Sequence, residues 1–387
     1  MSAKIDFESD SKKLFFQDFT KKLLFCFVYQ VSSLRSLSTE LQTNEVCKVL
    51  ALQYTPFSTL KDGFNRFDSI HYKTIFENLV KNLPLFKVSY LEEMGLFKVI
   101  DGTLLPTLIH MSWTEYRQNK NAFKLHVSFE LNRMIPTEFW RGTGNSCERS
   151  MFLKMVQSGI TYIADKGYFS FDLVEKVILM KAFFILRVKE NMLFEKQESL
   201  QMTKDLPICF KSVSDSKGVF KNDPNKNTLR LIHFQVWESR FMIATNRFDL
   251  STLNIIILYA YRWQIELFFK YLKRTLNGIH SGGEPLLNHS ENGIEIQFYL
   301  MMTLAVLQLN FKQTCQAVQR IVPFFQDFYQ LSKQIQAFGG SCPSDWIQKN
   351  AKPLYVFWKI SKSWLLILKN SLTKDIDSQL VILFSTA

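Results

Sequence analysis

The first 90 residues carry apolar side chains at the three-to-four-residue spacing of amphipathic helices, separated by short polar turns. Three stretches are predicted to be helices on this pattern: 13–33, 36–52 and 71–83. Ser58 is suited to cap a short helix between the last two, and this helix would expose Lys61, Asn65 and Arg66. A helical unit of this kind is equally consistent with a DNA-binding region and with a plain bundle.

From about residue 93 the pattern changes to short runs rich in β-branched and aromatic residues, which are typical of strands. The predicted strands are 96–101, 122–131, 137–140, 161–165 and 183–188. Helices are predicted at 148–158 and 171–181, between the later strands. Strands followed by a strand–helix alternation indicate an α/β layer fold. Two of these strands end in an acid, Asp101 and Asp165, although an acid there can also simply cap a turn.

The stretch Leu258–Leu276 contains good helix formers and neither Gly nor Pro, so it is predicted to be one helix. At 3.6 residues per turn, five polar or aromatic residues fall within about 80° of one another. They are Tyr259, Arg262, Glu266, Lys270 and Lys273. Two interpretations are open. Glu266 could form ion pairs with Lys270 or Lys273 on a solvated face, or it could bind a metal among cations that meet phosphates.

Composition narrows the class of protein. The 387 residues are 47% hydrophobic with a net charge of +12, which predicts a globular chain that favours an anionic partner such as nucleic acid. Six scattered cysteines without a CxxC pair indicate neither a disulfide framework nor a zinc site, and they fit the cytoplasm. The apolar run Ile294–Phe311 is interrupted by Glu295, Gln297, Gln308 and Asn310, so a buried helix is predicted there and no membrane span.

The spacing of Tyr259, Arg262, Glu266 and Lys273, Y-x2-R-x3-E-x6-K, resembles the signature of insertion-sequence transposases of family four. These enzymes belong to the DDE class of DNA-cutting enzymes. The signature requires two upstream aspartates, each at the end of a strand.

The two strand-ending acids meet this requirement. Asp101-Gly102-Thr103 and Asp165-Lys166-Gly167-Tyr168 both resemble family motifs around the first and second catalytic aspartates. The usual form of the second motif has arginine in place of Lys166. Lysine keeps the charge but lacks a bidentate grip, which weakens the case for phosphate binding at this position.

The resemblance implies an RNase H-like mixed-sheet catalytic core with a β-rich insertion, flanked by helical regions. The implied divisions are a helical DNA-binding region (1–92), the two parts of the core (93–190 and 251–311), the insertion between them (191–250) and a helical tail (312–387). In an RNase H-like fold the first and fourth strands are neighbours, so Asp101 and Asp165 are expected to lie side by side.

The resemblance also implies the chemistry, which is cleavage of DNA followed by strand transfer. Asp101, Asp165 and Glu266 would be catalytic and would bind Mg²⁺, for which Mn²⁺ could substitute. Phosphate and DNA contacts would come from Tyr259, Arg262, Lys273 and Lys166. The expected partners are double-stranded DNA, as terminal inverted repeats and target, and a second copy of the chain on DNA.

Three other functions compete with the transposase interpretation. A phosphatase of the haloacid dehalogenase type would need an aspartate where Val99 stands. A different RNase H-like nuclease is disfavoured by the signature helix and by the polar block before it. A catalytically inactive, DNA-binding remnant of a transposase remains the alternative. Among the six histidines only His126, on a predicted strand near Asp101, is a minor candidate for the site.

Overall fold

The computed structural model describes residues 14–29, 31–83, 85, 88–106, 115–117, 120–143, 147–202, 210–236, 239–275 and 286–321. They fall into two compact units. The first takes the described residues up to Leu85 and those from Lys270 onwards, and the second takes those within Phe86–Phe269.

The helices of these residues follow in chain order: α1 (Phe16–Tyr29), α2 (Leu34–Thr43), α3 (Glu45–Val49), α4 (Phe57–Arg66), α5 (Ser69–Asn82), α6 (Ser89–Glu92), α7 (Glu148–Met155), α8 (Phe171–Leu179), α9 (Thr252–Ala260), α10 (Trp263–Thr275) and α11 (Glu291–Ile321). The strands are β1 (Phe97–Pro106), β2 (Glu115–Arg117), β3 (Lys120–Glu130), β4 (Ile135–Thr143), β5 (Thr161–Ala164), β6 (Phe183–Arg187), β7 (Phe194–Ser199), β8 (Phe210–Phe220), β9 (Leu229–Val236) and β10 (Ser239–Thr245).

The first unit is helical around an aromatic core. The ring of Phe19 in α1 meets that of Phe64 in α4 edge to face, with centroids 5.1 Å apart. At Gly63 a Cβ atom would lie 2.7 Å from the Phe19 ring, so only glycine permits this approach. Asn292, at the start of α11, donates to the carbonyl oxygens of Phe64 and Phe67 and thereby holds the end of α4.

Two local predictions for this unit were wrong. The stretch 36–52 is divided into α2 and α3 at Asn44, whose side chain accepts from Val46 N and starts a new helix. Ser58 does not cap α4, because the helix already begins at Phe57 behind Pro56. Lys61, Asn65 and Arg66 are nevertheless exposed, as predicted.

The second unit is built on a ten-stranded sheet, counted over the described residues. Its order runs β2-β3-β1-β5-β6-β10-β9-β8-β7, with β4 paired to β3. β1 is antiparallel to β3 and parallel to β5, which is in turn parallel to β6. This is the RNase H-like arrangement, so the predicted fold class is confirmed. The polar block after β6 supplies β7, β8 and β9, which join the same sheet through β10.

The core of the sheet lies where its parallel strands meet α7 and α8. All four residues of β5 are buried, as expected for a parallel strand covered on both faces. Fully buried aromatic and aliphatic side chains fill the layer between sheet and helices, among them Phe152, Tyr162, Leu173, Val177 and Phe184. Asp165 directly follows β5, and Asp101 lies within β1, two residues beyond Val99, the last residue of β1 that pairs with β5.

The predicted single helix over Leu258–Leu276 is interrupted. α9 ends at Ala260 and α10 begins at Trp263. Between them the backbone bonds from Arg262 N to Tyr259 O and from Ile265 N to Arg262 O span three residues, as in a 3₁₀ turn. The interruption turns Tyr259 and Arg262 inward, and both are buried. Leu276 lies outside the described residues.

The run Ile294–Phe311 is a buried helix, as predicted, and forms part of α11. Within the ranges the structure describes, none of the helices combines the length and apolarity needed to cross a bilayer. Most of the predicted helical tail, from residue 322 onwards, lies outside the described residues.

Candidate active site

Asp101 and Asp165 lie on neighbouring parallel strands. Phe97 of β1 pairs with Thr161 of β5, and Val99 pairs with Ile163. Continued by two residues, this register places Asp101 opposite Asp165. Both side chains are partly buried at the same end of the sheet. The adjacency that the resemblance implied is therefore present.

The break between α9 and α10 brings three further side chains to the two aspartates. The hydroxyl of Tyr259 donates to Oδ1 of Asp165 over 3.2 Å. Nη1 of Arg262 lies 2.9 Å from Oε1 of Glu266 and 3.8 Å from Oδ2 of Asp101. Five of the predicted site residues thus converge, and Arg262 is the ion-pair partner of Glu266 that the structure records.

Two buried arginines tie the segment before α9 to the sheet. Arg230 of β9 is bidentate to Asp215 of β8 and donates to the carbonyl oxygen of Leu250 just before the helix. Arg247 donates to Thr161 Oγ1, at the first residue of β5, over 2.5 Å. The strands of the polar block are therefore bonded to the helix pair that delivers Tyr259, Arg262 and Glu266.

Burial dominates the electrostatics of the site. It raises the pKa of Asp101 to about 6, against the opposing effects of the Arg262 charge and the Gly102 N–H, which donates to Asp101 Oδ1 over 2.8 Å. Glu266 and Asp165 add smaller upward contributions to the same pKa. Burial also raises the pKa of Tyr259, which keeps its hydroxyl a donor at neutral pH. The site is thus a partly dehydrated group of carboxylates around one guanidinium.

The remaining predicted cations are placed differently. Lys166 is exposed in the turn that follows β5 and forms no ion pair with a described residue. Lys273 is half-buried on α10, about two helical turns beyond Glu266. Neither lysine is part of the carboxylate group as the structure describes it.

Several residues near the aspartates escaped the sequence analysis. Lys124 of β3 and Glu148 of α7 form an ion pair. A Cβ at Gly102 would lie 3.1 Å from Lys124 Cε, and a Cβ at Gly167 would lie 3.2 Å from Glu148 Oε2. The glycines after both aspartates therefore make room for this pair. His126, the minor candidate, lies beside Gly102, and burial followed by the Lys124 charge lowers its pKa to about 4.

Tyr168, the last residue of the second aspartate motif, is also at the site. Its side chain is only 2% exposed, and its hydroxyl has no hydrogen-bond partner among the described residues. Burial raises its pKa strongly, with further upward contributions from Asp101, Glu148 and Asp165. A buried hydroxyl in the field of three carboxylates is therefore left without an acceptor. The motif that contains Tyr168 could have singled it out.

The three carboxylates of the site are candidate ligands for a divalent cation. The described part of the chain contains no group of three or more His, Cys, Asp or Glu already arranged as metal ligands. The chemistry of the donors nevertheless fits a hard cation, because Asp101, Asp165 and Glu266 offer oxygen ligands and no thiolate. The burial that disfavours the charged form of Asp101 is an effect that a bound cation offsets. In this structure Arg262 supplies the positive charge between Asp101 and Glu266.

Residues 95–307 match the family model described as Transposase DDE domain. The chain belongs to this family. The match includes β1, β5 and α10, and with them all three acids of the site. Membership of the DDE transposase family gives the chain a transposase function, and enzymes of this family use divalent metal ions.

The chain is also similar to individual transposases. The transposase chain is 21% identical over 266 residues to the "Probable transposase for insertion sequence element IS5377" of Geobacillus stearothermophilus. That alignment covers 68% of this chain and 68% of the relative. Among solved structures, the chain resembles a piggyBac transposase synaptic complex with hairpin DNA, with a TM-score of 0.45 and 10% identity over 98% of this chain and 79% of the other.

Proposed function

We propose that this DDE transposase acts on the ends of an insertion sequence of family four, where it cuts the DNA and transfers the freed ends to new DNA. The observation that supports the proposal is the convergence of Asp101, Asp165 and Glu266 around Arg262. A phosphodiester repels nucleophiles and has a poor leaving group, so its cleavage needs positive charge at the attacking and leaving oxygens.

The three carboxylates would hold that charge as Mg²⁺, with Mn²⁺ as a substitute. Asp101, Asp165 and Glu266 would be the residues that hold these ions. When bound, such ions activate the attacking oxygen and stabilise the leaving one. Oxygen-only ligands suit Mg²⁺, which prefers carboxylates and water.

The neighbouring side chains would position the reactants. Tyr259 donates to Asp165 and so fixes the orientation of that carboxylate. Arg262 is buried, so its charge is weakly screened, and its planar fork suits a phosphate. Water would be the first nucleophile, and its attack on the phosphate would break the bond to the 3′-oxygen and free a 3′-hydroxyl at the element end. This hydroxyl would then attack a phosphate of the second strand or of the target and displace the 3′-oxygen there. Lys166 and Lys273 would add phosphate contacts away from the carboxylates.

Recognition of the element ends is assigned to the helical N-terminal region, residues 1–92. α4 exposes Lys61, Asn65 and Arg66 on one side and buries Leu60, Gly63 and Phe64 on the other. An exposed basic and amide face on a rigidly packed helix is suited to phosphate and base-edge contacts in a DNA groove. Double-stranded DNA is thus the proposed partner, bound by two copies of the chain.

The test is cleavage of DNA that carries the ends of the encoding element. Wild type and Glu266→Gln are compared with Mg²⁺ and with a chelator, and Glu195→Gln serves as the control, because Glu195 is exposed on β7. We expect metal-dependent nicking at the ends by wild type and the control. Glu266→Gln should bind the ends and not cut them. Equal cleavage by Glu266→Gln would remove Glu266 from the site, and end binding without cleavage by wild type would favour a DNA-binding remnant.

A further inference from the structure

The hydroxyl of Tyr168 is a buried donor without a protein acceptor. It is buried, in a residue that is 2% exposed, and no described residue bonds to it. Leaving such a group unpaired in a protein interior costs about 1–3 kcal/mol, so native structures seldom do so without a reason. A ligand that completes the hydrogen bond is one such reason.

The surroundings of Tyr168 locate that ligand. Its backbone N–H donates to the carbonyl oxygen of Asp165 over 3.0 Å, which closes the turn after β5. Asp101, Asp165 and Arg262 are the charged groups that act on its side chain, together with Glu148. Tyr168 therefore lies three residues after Asp165, in the turn that this aspartate closes, and within the electrostatic reach of the acids of the proposed reaction.

Tyr162 provides a comparison within the same core. Its ring and that of Tyr168 pack against Phe152 with the same centroid separation, 5.7 Å. The Tyr162 hydroxyl is fully used, since it donates to Met155 O and accepts from Gln157 N, each over 2.8 Å. The two tyrosines thus have the same packing and opposite hydrogen-bond states. The Tyr162 hydroxyl is saturated by the protein, and the Tyr168 hydroxyl has no partner among the described residues.

We propose that Tyr168 is a further catalytic residue, whose hydroxyl donates a hydrogen bond to a non-bridging oxygen of the scissile phosphate. This role rests on the proposed function. The ligand must offer an acceptor, because the hydroxyl carries a hydrogen for which no described residue provides one. A phosphate oxygen gains negative charge as the attacking oxygen approaches, so a fixed neutral donor stabilises the transition state more than the ground state.

The experiment compares Tyr168→Phe with Tyr162→Phe in full-length protein, by cleavage kinetics on the element ends and by thermal unfolding. Each substitution removes one hydroxyl and keeps the ring. Tyr168→Phe should lower the cleavage rate at saturating DNA by about 100-fold, the effect of losing one transition-state donor. Its KM and thermal midpoint should stay at or above the wild-type values. Tyr162→Phe should lower the midpoint by about 2–4 °C and cleave normally below that temperature.

The outcomes separate this role from the proposed function. Normal cleavage by Tyr168→Phe, beside active wild type and inactive Glu266→Gln, would overturn the role of Tyr168 and leave the function intact. A midpoint that falls as far for Tyr168→Phe as for Tyr162→Phe, with cleavage reduced only by unfolding, would show a structural hydroxyl and would also overturn it. Absence of cleavage by wild type would overturn the function and this role together.

Discussion

Two buried arginines in the second unit have opposite surroundings. Arg230 is paired with a single carboxylate, Asp215, and both side chains are almost fully buried, at 4% and 0% exposure. Its other N–H groups donate to the carbonyl oxygens of Arg247 and Leu250. Arg230 is balanced in charge and saturated in hydrogen bonds, which a buried ion needs if it is not to destabilise the fold.

Arg262 has no such balance. One guanidinium faces Glu266 at 2.9 Å and Asp101 at 3.8 Å, and Asp165 also acts on its charge. Three carboxylates around one cation leave a net negative charge in a poorly hydrated place. A fold gains no stability from that excess, so the excess points to positive charge that arrives with the metal ions. Both the site and the scaffold contain a buried arginine. The site differs in that the charges around its arginine are not balanced.

The largest effect is expected from Asp101→Asn, which removes one of the excess charges. Cleavage should fall by about 10³-fold or more, because a ligand to the catalytic cations is lost, at about 4 kcal/mol. The free energy of unfolding should not decrease, since asparagine can still accept from Gly102 N and no longer repels Glu266 and Asp165. Cleavage kinetics and urea unfolding check the two parts, and a large loss of stability would contradict the comparison.

The same substitution at the balanced pair should do the reverse. Asp215→Asn leaves the Arg230 charge buried without its counter-ion, so the free energy of unfolding should fall by about 3–5 kcal/mol. Urea unfolding measures this loss. Cleavage per folded molecule should change much less than in Asp101→Asn. A loss of unfolding free energy below about 1 kcal/mol would mean that Asp215 is hydrated, and the contrast with Asp101 would no longer hold.

The smallest effects should come from exchanging each arginine for lysine. Arg262→Lys keeps the charge but contacts fewer oxygens, so cleavage should fall by about 10-fold to 100-fold, the value of one lost charged hydrogen bond at about 1.5–3 kcal/mol. Arg230→Lys should instead lower stability by a similar free energy. Measuring cleavage and unfolding of both variants in parallel shows whether each arginine contributes to cleavage or to stability. Equal effects of both variants on cleavage would mean that Arg262 is also only structural.

Much of the sheet was predictable from local patterns. β5 and β6 were predicted to within one residue because buried parallel strands are short, continuous apolar runs bounded by turns. The same runs located Asp165 correctly at a strand end. Asp101 was also predicted to end its strand, but β1 continues past it to Pro106 because its pairing with β3 extends that far.

The rest depends on contacts between distant parts of the chain. That β1 lies beside β5 followed from the family resemblance, since nothing in either strand specifies its partner. The 3₁₀ turn at Arg262 was missed because helix propensity depends on local residues only, whereas Arg262 meets a carboxylate from a distant strand. Asp215 and Arg230 lay unremarked in a polar block, and only the pairing of β8 with β9 makes them an ion pair.

The order of the site residues along the chain limits when the enzyme can first act during its own synthesis. Asp101 and Asp165 leave the ribosome early, whereas Glu266 follows the strands that carry Asp215 and Arg230. At about 5–20 residues per second, roughly 100 residues between Asp165 and Glu266 take about 5–20 s to make. A nascent chain therefore carries an incomplete carboxylate set throughout this interval. If Asp101, Asp165 and Glu266 act as proposed, cutting activity begins only after the block that precedes α9 has been made.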